Sequence, residues 1–313
     1  MTDPRIGAFA RLASGNVEPK RTIYGNISKL TRVAHGISYD PARDEIWASE
    51  PLASSVVAFA AGTHGEVPPL RVIQGPKTQI HQPWGLQVDD LHHELVVADH
   101  ATSNILIFPW DANGNVAPLR VIGGPRTKMR ALADVAVDPR HNLLVAVTYS
   151  QNLPGGGGTG PLTAKFEQAE AAQPGGIFIF DRTANGNVPP KALIAGPHTG
   201  IRTPSGVQVW GGRIYAVVGN AGHEDPYVLA GDLPRKGCMG PPPPSLTGGS
   251  PDAFIGVWKI TDNGDVGPLF VIHGPASQMV APVGIALNPG AGELYVTDGG
   301  VGATFTFLAP QFF

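Results

Sequence analysis

The 313-residue chain has few of the residues on which several protein classes depend. Its single cysteine, Cys238, excludes an internal disulfide and any cysteine-rich zinc or iron–sulfur site. Charged residues make up only 15% of the sequence, and 22 basic residues are scattered among 25 acidic ones. That balance argues against a nucleic-acid-binding surface. No apolar run approaches the roughly 18 to 20 residues of a membrane-spanning helix, so we expect no membrane span.

The beginning of the sequence carries no export signal as written. Met1-Thr-Asp-Pro-Arg5 contains no basic segment followed by an apolar stretch. The sequence as it stands therefore predicts a cytoplasmic protein, whereas removal of a leader would make the protein extracytoplasmic. Both compartments stay open on this evidence.

Glycine and proline, by contrast, are abundant, with 41 and 31 residues that together make up close to a quarter of the chain. Such a content occurs in disordered chains, but 42% hydrophobic residues argue against disorder. The combination favours many short strands joined by tight turns. A chain of this length can also bury a sizeable hydrophobic core.

One phrase occurs five times along the chain. Its copies are GNVEPKRTIYG from Gly15, GEVPPLRVIQG from Gly65, GNVAPLRVIGG from Gly114, GNVPPKALIAG from Gly186 and GDVGPLFVIHG from Gly264. The starts are 50, 49, 72 and 78 residues apart, so the basic unit has about 50 residues and two units carry insertions. The glycine-rich start and apolar end of each phrase predict a turn followed by a strand.

Each unit is expected to form four antiparallel strands. A strand with alternating apolar residues follows the phrase (GISYD, GLQVD, DVAVD, GVQVW, GIALN). A second strand follows a turn (EIWAS, ELVVAD, LLVAV, RIYAVV, ELYVTD), and a third is VVAFA, ILIFP, IFIF, IGVW or TFTF. Four short strands in about 50 residues are typical of a β-propeller blade, the strand within the phrase being the fourth. The sequence therefore predicts an all-β propeller, as a single domain over residues 1–313.

These units resemble the blades of NHL-repeat propellers and their bacterial relatives. The resemblance rests on phrases such as GNVAPLRVIGG followed by DVAVDP, and it covers nearly the whole chain. It implies the fold, whereas it leaves the function open, because this scaffold carries lactonases, lyases and plain binding modules alike.

The number of blades depends on the two ends of the chain. An additional strand of the third type, IGAFA from Ile6, precedes the first phrase, and the chain ends on TFTFLAPQFF without a fourth strand. If RTIYG from Arg21 pairs beside TFTF, it completes the last blade and covers its open edge. On this ground we favour five blades. The alternative of six blades would leave one blade without its two inner strands.

Both insertions fall between the second and third strands of their units, at about residues 149–176 and 220–254. Because successive strands alternate in direction, this turn lies on the same face as the link from one blade to the next. Long loops in compact domains commonly form or cover binding sites. We therefore expect one loop-decorated face to carry the function, with Tyr149 at the start of the first insertion.

The second strands of the blades with short turns end on carboxylates: Glu50, Asp99 and Asp298. Aspartate and glutamate oxygens accept hydrogen bonds from the backbone of tight turns. We therefore interpret these three residues as turn caps rather than catalytic groups.

The links that enter the first strands supply the polar and aromatic residues of the loop-decorated face. Arg130 and Arg202 occupy equivalent places in two blades, where they would clamp a carboxylate or a phosphate. The alternative is that each arginine packs its stem and pairs with Asp134 or a loop carbonyl. The predicted ligand-binding residues are Arg130, Arg202, Trp84, Ser205 and Tyr149.

A divalent metal would need histidine and carboxylate side chains that converge from several blades. The candidate ligands are His35, His81, His223 and Glu224. The candidate catalytic residues are His81, Glu224 and Asp134. A metal held there would polarise a carbonyl or activate water.

Three functional hypotheses follow from these residues, because no complete catalytic motif is present. The first is a binding or assembly module whose loop-decorated face holds a small anionic ligand or a partner protein. The second is a metal-assisted hydrolase or lyase with its site at the channel mouth of the same face. The third is a subunit of a larger complex, with the insertions buried in an interface. The sequence leaves open whether the chain is an enzyme.

Overall fold

The computed structural model describes residues 4–151, 174–219 and 253–313. Within these ranges the chain consists of 22 short strands in six sheets, and its helical elements are single 3₁₀ turns. Most of the two predicted insertions lies outside the described residues. The chain divides into two compact units, Met1–Gly124 with Ala184–Val188 (unit 1) and Pro125–Thr183 with Pro189–Phe313 (unit 2).

Unit 1 contains sheets 1 to 3. Sheet 1 pairs β1 (Arg5–Ala8), β2 (Arg21–Tyr24) and the two-residue β6 (Gly65–Glu66). Sheet 2 consists of β3 (Ile37–Asp40), β4 (Glu45–Glu50), β5 (Ser55–Ala60) and β7 (Arg71–Gln74). Sheet 3 consists of β8 (Pro83–Asp89), β9 (Glu94–Asp99), β10 (Asn104–Pro109) and β11 (Arg120–Ile122).

Unit 2 contains sheets 4 to 6. Sheet 4 consists of β12 (Met129–Asp138), β13 (Leu143–Gln151), β14 (Pro174–Asp181) and β15 (Ala192–Ile194). Sheet 5 consists of β16 (Thr203–Trp210), β17 (Arg213–Gly219), β18 (Phe254–Lys259) and β19 (Phe270–His273). Sheet 6 has three strands, β20 (Pro282–Asn288), β21 (Glu293–Asp298) and β22 (Ala303–Leu308).

Short 3₁₀ turns recur at the ends of strands. They are Asn26–Ser28, Pro51–Ala53, Pro76–Thr78, Pro125–Thr127, Pro197–Thr199, Pro275–Ser277 and Pro310–Phe312. Five of them follow the last glycine of a phrase, and in four of those five a proline takes the first position, where its missing N–H costs nothing. A buried threonine or serine in these turns bonds back to the preceding glycine carbonyl, as Thr78 Oγ1 does to Gly75 at 2.7 Å. The end of the phrase is thereby fixed locally.

The hydrophobic core lies between neighbouring sheets of the same unit, as the alternating apolar residues require. In unit 1, Trp47, Val97 and Phe108 are buried in one cluster between sheets 2 and 3. In unit 2, Tyr215 and Leu294 are buried with the partly buried Phe270 between sheets 5 and 6. Each fully buried side chain of this size contributes roughly 1.5 to 3 kcal/mol through the area it removes from water.

The predicted fold class is confirmed: the chain is an all-β propeller built from small antiparallel sheets, and the strand in each later phrase is the fourth strand of its sheet. The preference for five blades is wrong, because six sheets form. The predicted closure is wrong as well, since β2 pairs with β1 over Arg5–Ala8 and with β6, and sheet 6 keeps three strands. A partner close in sequence costs less loop-closure entropy than one at the other end of the chain. The alternative of six blades holds, and among the described residues sheet 1 contains no first or second strand.

Candidate functional site

The structure distributes the predicted site residues over both units. Unit 1 contains His35, His81 and Trp84, and unit 2 contains Arg130, Asp134, Tyr149, Arg202 and Ser205. His223 and Glu224 lie outside the described residues.

Trp84 is the centre of an aromatic stack in unit 1. Its indole is buried, with the His35 ring parallel to it at a centroid distance of 4.5 Å and the His100 ring parallel at 3.7 Å. The Trp84 carbonyl accepts a hydrogen bond from the Ser49 hydroxyl. His100 was not predicted, since it follows Asp99 in the β9–β10 turn and has no counterpart in the other repeats.

The close packing around this stack restricts the residue at position 36 to glycine and lowers the pKa of His35. A Cβ added at Gly36 would lie 2.3 Å from the Trp84 carbonyl oxygen, so only glycine fits directly before β3, the first strand of sheet 2. His35 keeps an exposed edge, yet the protein packed around its imidazole lowers the pKa of His35 to about 4. The ring is therefore neutral at pH 7 and stacks on Trp84 without a charge.

His81 is held through its backbone and by one ring contact. Its N–H donates to Asp99 Oδ2 at 2.7 Å, and its carbonyl accepts from Ser54 Oγ at 2.6 Å. Its Nδ1 lies 2.9 Å from the Gln79 carbonyl, and the side chain is exposed. The described ranges contain no group of three or more His, Cys, Asp and Glu side chains that could hold a metal ion. Half of the predicted metal set lies outside those ranges, so that set stays a prediction.

The three carboxylates at the ends of second strands cap the links that enter the first strands. Asp298 accepts backbone N–H bonds from Val280, Ala281, Gly300 and Val301, and Asp99 accepts from His81, Gln82 and Thr102. Glu50 accepts the N–H and hydroxyl of Thr31 at 2.7 and 2.6 Å. Their predicted structural role agrees with these bonds.

Asp134 occupies a special place among the first strands of the sheets. The corresponding residues of the other four first strands are glycines: Gly36, Gly85, Gly206 and Gly284. Asp134 Oδ1 accepts the N–H of Val135 at 2.8 Å, and Oδ2 accepts the N–H of Val207 at 2.9 Å. Burial raises the pKa of Asp134 to about 7, and these two bonds offset the burial only in part. The group can therefore exchange a proton near neutral pH.

The link that carries Arg202 joins the bases of both insertions in unit 2. The Arg202 carbonyl accepts the N–H of Gly175, just after the first undescribed segment, at 2.7 Å. The neighbouring Thr203 hydroxyl donates to the carbonyl of Gly219, just before the second undescribed segment, at 3.1 Å. The Arg202 side chain is exposed. An arginine thus stands between the two points where the long loops leave the sheets.

The other predicted ligand residues of unit 2 lie on the same strands. Arg130 is half-buried on β12, in register with Ser150 near the end of β13. Tyr149 is half-buried on β13. Ser205 is buried, and its hydroxyl donates to the Pro282 carbonyl at 2.8 Å, which ties β16 to β20. That bond occupies the Ser205 proton, while its role as a ligand contact stays a prediction.

Comparison with known proteins supports the β-propeller fold. No protein-family model matches the chain, and no curated protein matches it in sequence. Among solved structures, hydrazine synthase from Kuenenia stuttgartiensis is similar with a TM-score of 0.52 and 13% sequence identity. The match covers 85% of this chain and 57% of that chain, so the protein spans little more than half the length of that structure. The described residues contain no helix suited to crossing a bilayer. At this identity the likeness shows one thing, a β-propeller fold.

Proposed function

We propose that the protein is a binding module of the NHL-like propeller type, and that unit 2 holds a small anionic ligand beside Arg130 and Arg202. The observation that carries the proposal is the Arg202–Thr203 link, which is bonded to the bases of both insertions. These bonds place the exposed Arg202 side chain on a link that is held at Gly175 and at Gly219, where its cation is accessible to a ligand.

The chemistry of these residues favours an anion. A guanidinium offers several N–H donors in a planar fork that matches a carboxylate or a phosphate. Asp134 lies on the same strand as Arg130, and its raised pKa leaves a large fraction of it uncharged at pH 7. A neutral carboxyl repels an anion less than a carboxylate does. The guanidinium groups of Arg130 and Arg202 would also bind an acidic segment of a partner protein, because its side chains carry the same carboxylate group as a small anionic ligand.

Titration with two simple anions tests the proposal. Citrate and inorganic phosphate would be titrated by calorimetry into the full chain and into Arg202→Ala and Arg130→Ala. We expect at least a tenfold weaker affinity in each variant, about 1.4 kcal/mol for a lost charged contact. Arg140→Ala is the matched control, because Arg140 is an exposed arginine in the β12–β13 turn at the other end of the same sheet.

Equal affinity in Arg202→Ala, Arg130→Ala and Arg140→Ala would mean that the arginines bind anions only as surface charges. No heat with either anion would send the search to acidic peptides, and failure there as well would remove the anion-binding function.

One observation favours a second candidate, a metal-assisted hydrolase or lyase. Asp134 has a pKa of about 7, which suits a general acid or base. The predicted metal ligands His35, His81, His223 and Glu224 belong to this candidate, and a divalent metal bound by them would polarise a carbonyl or activate water. Elemental analysis of the unchelated protein and of His81→Ala tests it. About one equivalent of metal that is lost in the variant supports the enzyme, and a metal-free protein removes its main support.

A further inference from the structure

The turn of each later phrase covers the outer edge of the preceding sheet. The N–H groups of Gly114, Gly186 and Gly264 donate to the carbonyls of Val72, Val121 and Leu193 at 2.7, 2.6 and 2.8 Å. The asparagine before each glycine returns the bond, since Asn113, Asn185 and Asn263 accept the N–H of the same three residues at 2.9, 3.1 and 3.0 Å. Gly65 pairs with Ile23 of β2 in the same way. The fourth strands of sheets 1 to 4 therefore have no open edge.

A second contact completes this clamp. The side chain after the turn glycine lies over the last glycine of the preceding phrase: Asn115 over Gly75, and Asp265 over Gly196. A Cβ added at Gly75 would lie 2.7 Å from Asn115, and one at Gly196 would lie 2.4 Å from Asp265. The same side chains accept the N–H groups of Lys77 and His198 at 2.8 and 2.7 Å. Each clamp thus needs three elements: the backbone edge of a fourth strand, the glycine that ends the phrase, and a free N–H two residues after that glycine.

The fourth strand of sheet 5 has these three elements, and no part of the chain that the structure describes clamps them. A Cβ added at Gly274 would have nothing within 4 Å, in contrast to Gly75 and Gly196. Val271 is 41% exposed, whereas its counterparts Val72, Val121 and Leu193 are half-buried. We call the backbone edge of Val271, the Cα face of Gly274 and the N–H of Ala276 the open socket. Beside it, β22 pairs only with β21 and has no fourth strand within the described part of the chain.

Unit 1 carries the complementary features. The first phrase has a turn, Ser14-Gly15-Asn16, whose residues are all exposed, and Asn16 makes no hydrogen bond to any of the described residues. Val17 after it is exposed, whereas its four counterparts, Val67, Val116, Val188 and Val266, are half-buried. On β3, Ile37 and Tyr39 are 59% and 55% exposed, because sheet 1 lacks the first and second strands that would cover them. Their counterparts on β8, Leu86 and Val88, are buried against sheet 2.

We propose that these two sets of features join a second copy of the chain, head to tail. Segment 14–24 of one copy lies along β22 of the other as its fourth strand, with the Ser14-Gly15-Asn16 turn in the open socket. In the joined state β2 leaves β1 and keeps its pairing with β6, while β20 and β21 of the other copy cover Ile37 and Tyr39. One complete four-stranded sheet is then formed from three strands of one copy and one of the other.

The residues of sheet 6 suit an interface that forms in the joined state and is exposed to water in a single copy. Thr304 and Thr306 of β22 correspond to Ile105 and Ile107 of β10, which are fully buried. A threonine keeps the β-branched shape of isoleucine and tolerates water when the face is uncovered. With threonine in place of isoleucine, this face of sheet 6 tolerates water in a single copy and can still pack against Ile37 and Tyr39 of another copy. Because both copies offer a free socket and a free turn, the contact is heterologous and continues beyond two copies unless a ring closes.

Crosslinking tests the contact directly. Asn16→Cys and Ala276→Cys would be prepared as separate proteins, each with Cys238→Ser, then mixed and treated with a short bismaleimide. The clamp at Lys77 and Asn115 indicates that positions 276 and 16 meet, so we expect a crosslinked dimer in the mixture and little in either protein alone. Arg140→Cys in place of Ala276→Cys is the control for random collision. A dimer yield equal to that control would overturn the proposal.

Sedimentation velocity supplies an independent measurement that does not depend on the cysteine variants. We expect association of the native chain that rises with concentration, and at least tenfold weaker association for Ile37→Asp. Leu91→Asp is the matched control, because Leu91 is 61% exposed in the β8–β9 turn and should leave association unchanged. A chain that stays monomeric up to about 0.5 mM, a concentration at which even weak interfaces are populated, would overturn the proposal. So would a crosslink that forms only within one chain when both cysteines are placed in it.

Discussion

Asp134 on β12 and Val207 on β16 are joined by a hydrogen bond of 2.9 Å from the Val207 N–H to the carboxylate. The bond ties the first strands of sheets 4 and 5 together through a side chain, where the other first strands carry glycine and approach closely. A carboxyl in this place must lose most of its water, which is why its pKa rises to about 7. The joint between these two sheets is therefore sensitive to pH.

We predict that Asp134 contributes a fall in the free energy of unfolding as the pH rises from about 4 to about 7, which the lowered pKa of His35 offsets up to about pH 6.5. In this window the folded protein keeps the Asp134 proton that the unfolded chain has already lost, so the unfolded state binds fewer protons and gains with rising pH. The slope from this one group is at most about 1.4 kcal/mol per pH unit. Urea unfolding at a series of pH values measures it.

Asp134→Asn should remove this falling contribution, because the amide does not titrate, so the free energy of unfolding of the variant should rise with pH between about 4 and 6.5 relative to that of the native chain. Asp111→Asn is the control, since Asp111 is exposed. A profile that keeps its slope in Asp134→Asn would assign the pH dependence to another group.

Gly36→Ala should destabilise the protein by about 1 to 3 kcal/mol, the usual cost of forcing an extra methyl into a packed site. The new Cβ would lie 2.3 Å from the Trp84 carbonyl, which is backbone and can move only with β8. Gly62→Ala is the matched control, because a Cβ there meets nothing within 4 Å. Thermal unfolding of the two variants measures the difference, and equal melting temperatures would contradict the close approach.

Trp84→Ala should cost about 3 to 5 kcal/mol, as expected for a large buried aromatic side chain. It removes the indole that both His35 and His100 contact. The pKa of His35 should also rise from about 4, because the cavity admits water to the imidazole. Urea unfolding and NMR titration of the histidines measure the two effects. Trp210→Ala, at an exposed tryptophan, is the control and should change stability little.

Asp298→Asn should loosen the link that enters β20. The carboxylate accepts four backbone N–H groups, and an amide has one oxygen to offer them. Leaving buried donors unpaired costs about 1 to 3 kcal/mol for each, less where water reaches them. Hydrogen exchange at Val280 and Gly300 should accelerate in the variant. Unchanged exchange would mean that the link is held by other contacts.

The strands could be predicted because the phrase repeats five times, so each copy supports the interpretation of the others. The partner of β2 could not. RTIY alternates in the same way whether it pairs with β1 or with β22, and the choice depends on which strand is near when the chain folds. The covering of the fourth strands of sheets 1 to 4 by the next phrase was also missed, because it is a contact between repeats and leaves no periodic signal within one.

The candidate site was predictable to the extent that its residues break the repeat. Asp134 stands where other repeats have glycine, and Arg130 and Arg202 stand at matching positions. The stack of His35, Trp84 and His100 could be predicted only in part, because His100 lies in the β9–β10 turn and has no counterpart in the other repeats. The bonds of Arg202 and Thr203 to the bases of the insertions depend on loop paths, which sequence spacing does not encode.

The paired bonds at the phrase turns also affect the chemical ageing of the protein. Asn113, Asn185 and Asn263 each precede a glycine, the sequence in which asparagine deamidates fastest, by attack of the next backbone nitrogen on the side-chain carbonyl. Here that nitrogen donates to a carbonyl of the preceding sheet and the side-chain oxygen accepts an N–H from it, so neither is free to react. Deamidation at these sites can proceed only when a turn lifts from its neighbour. The isoaspartate content of an aged sample would thus record how often the sheets part.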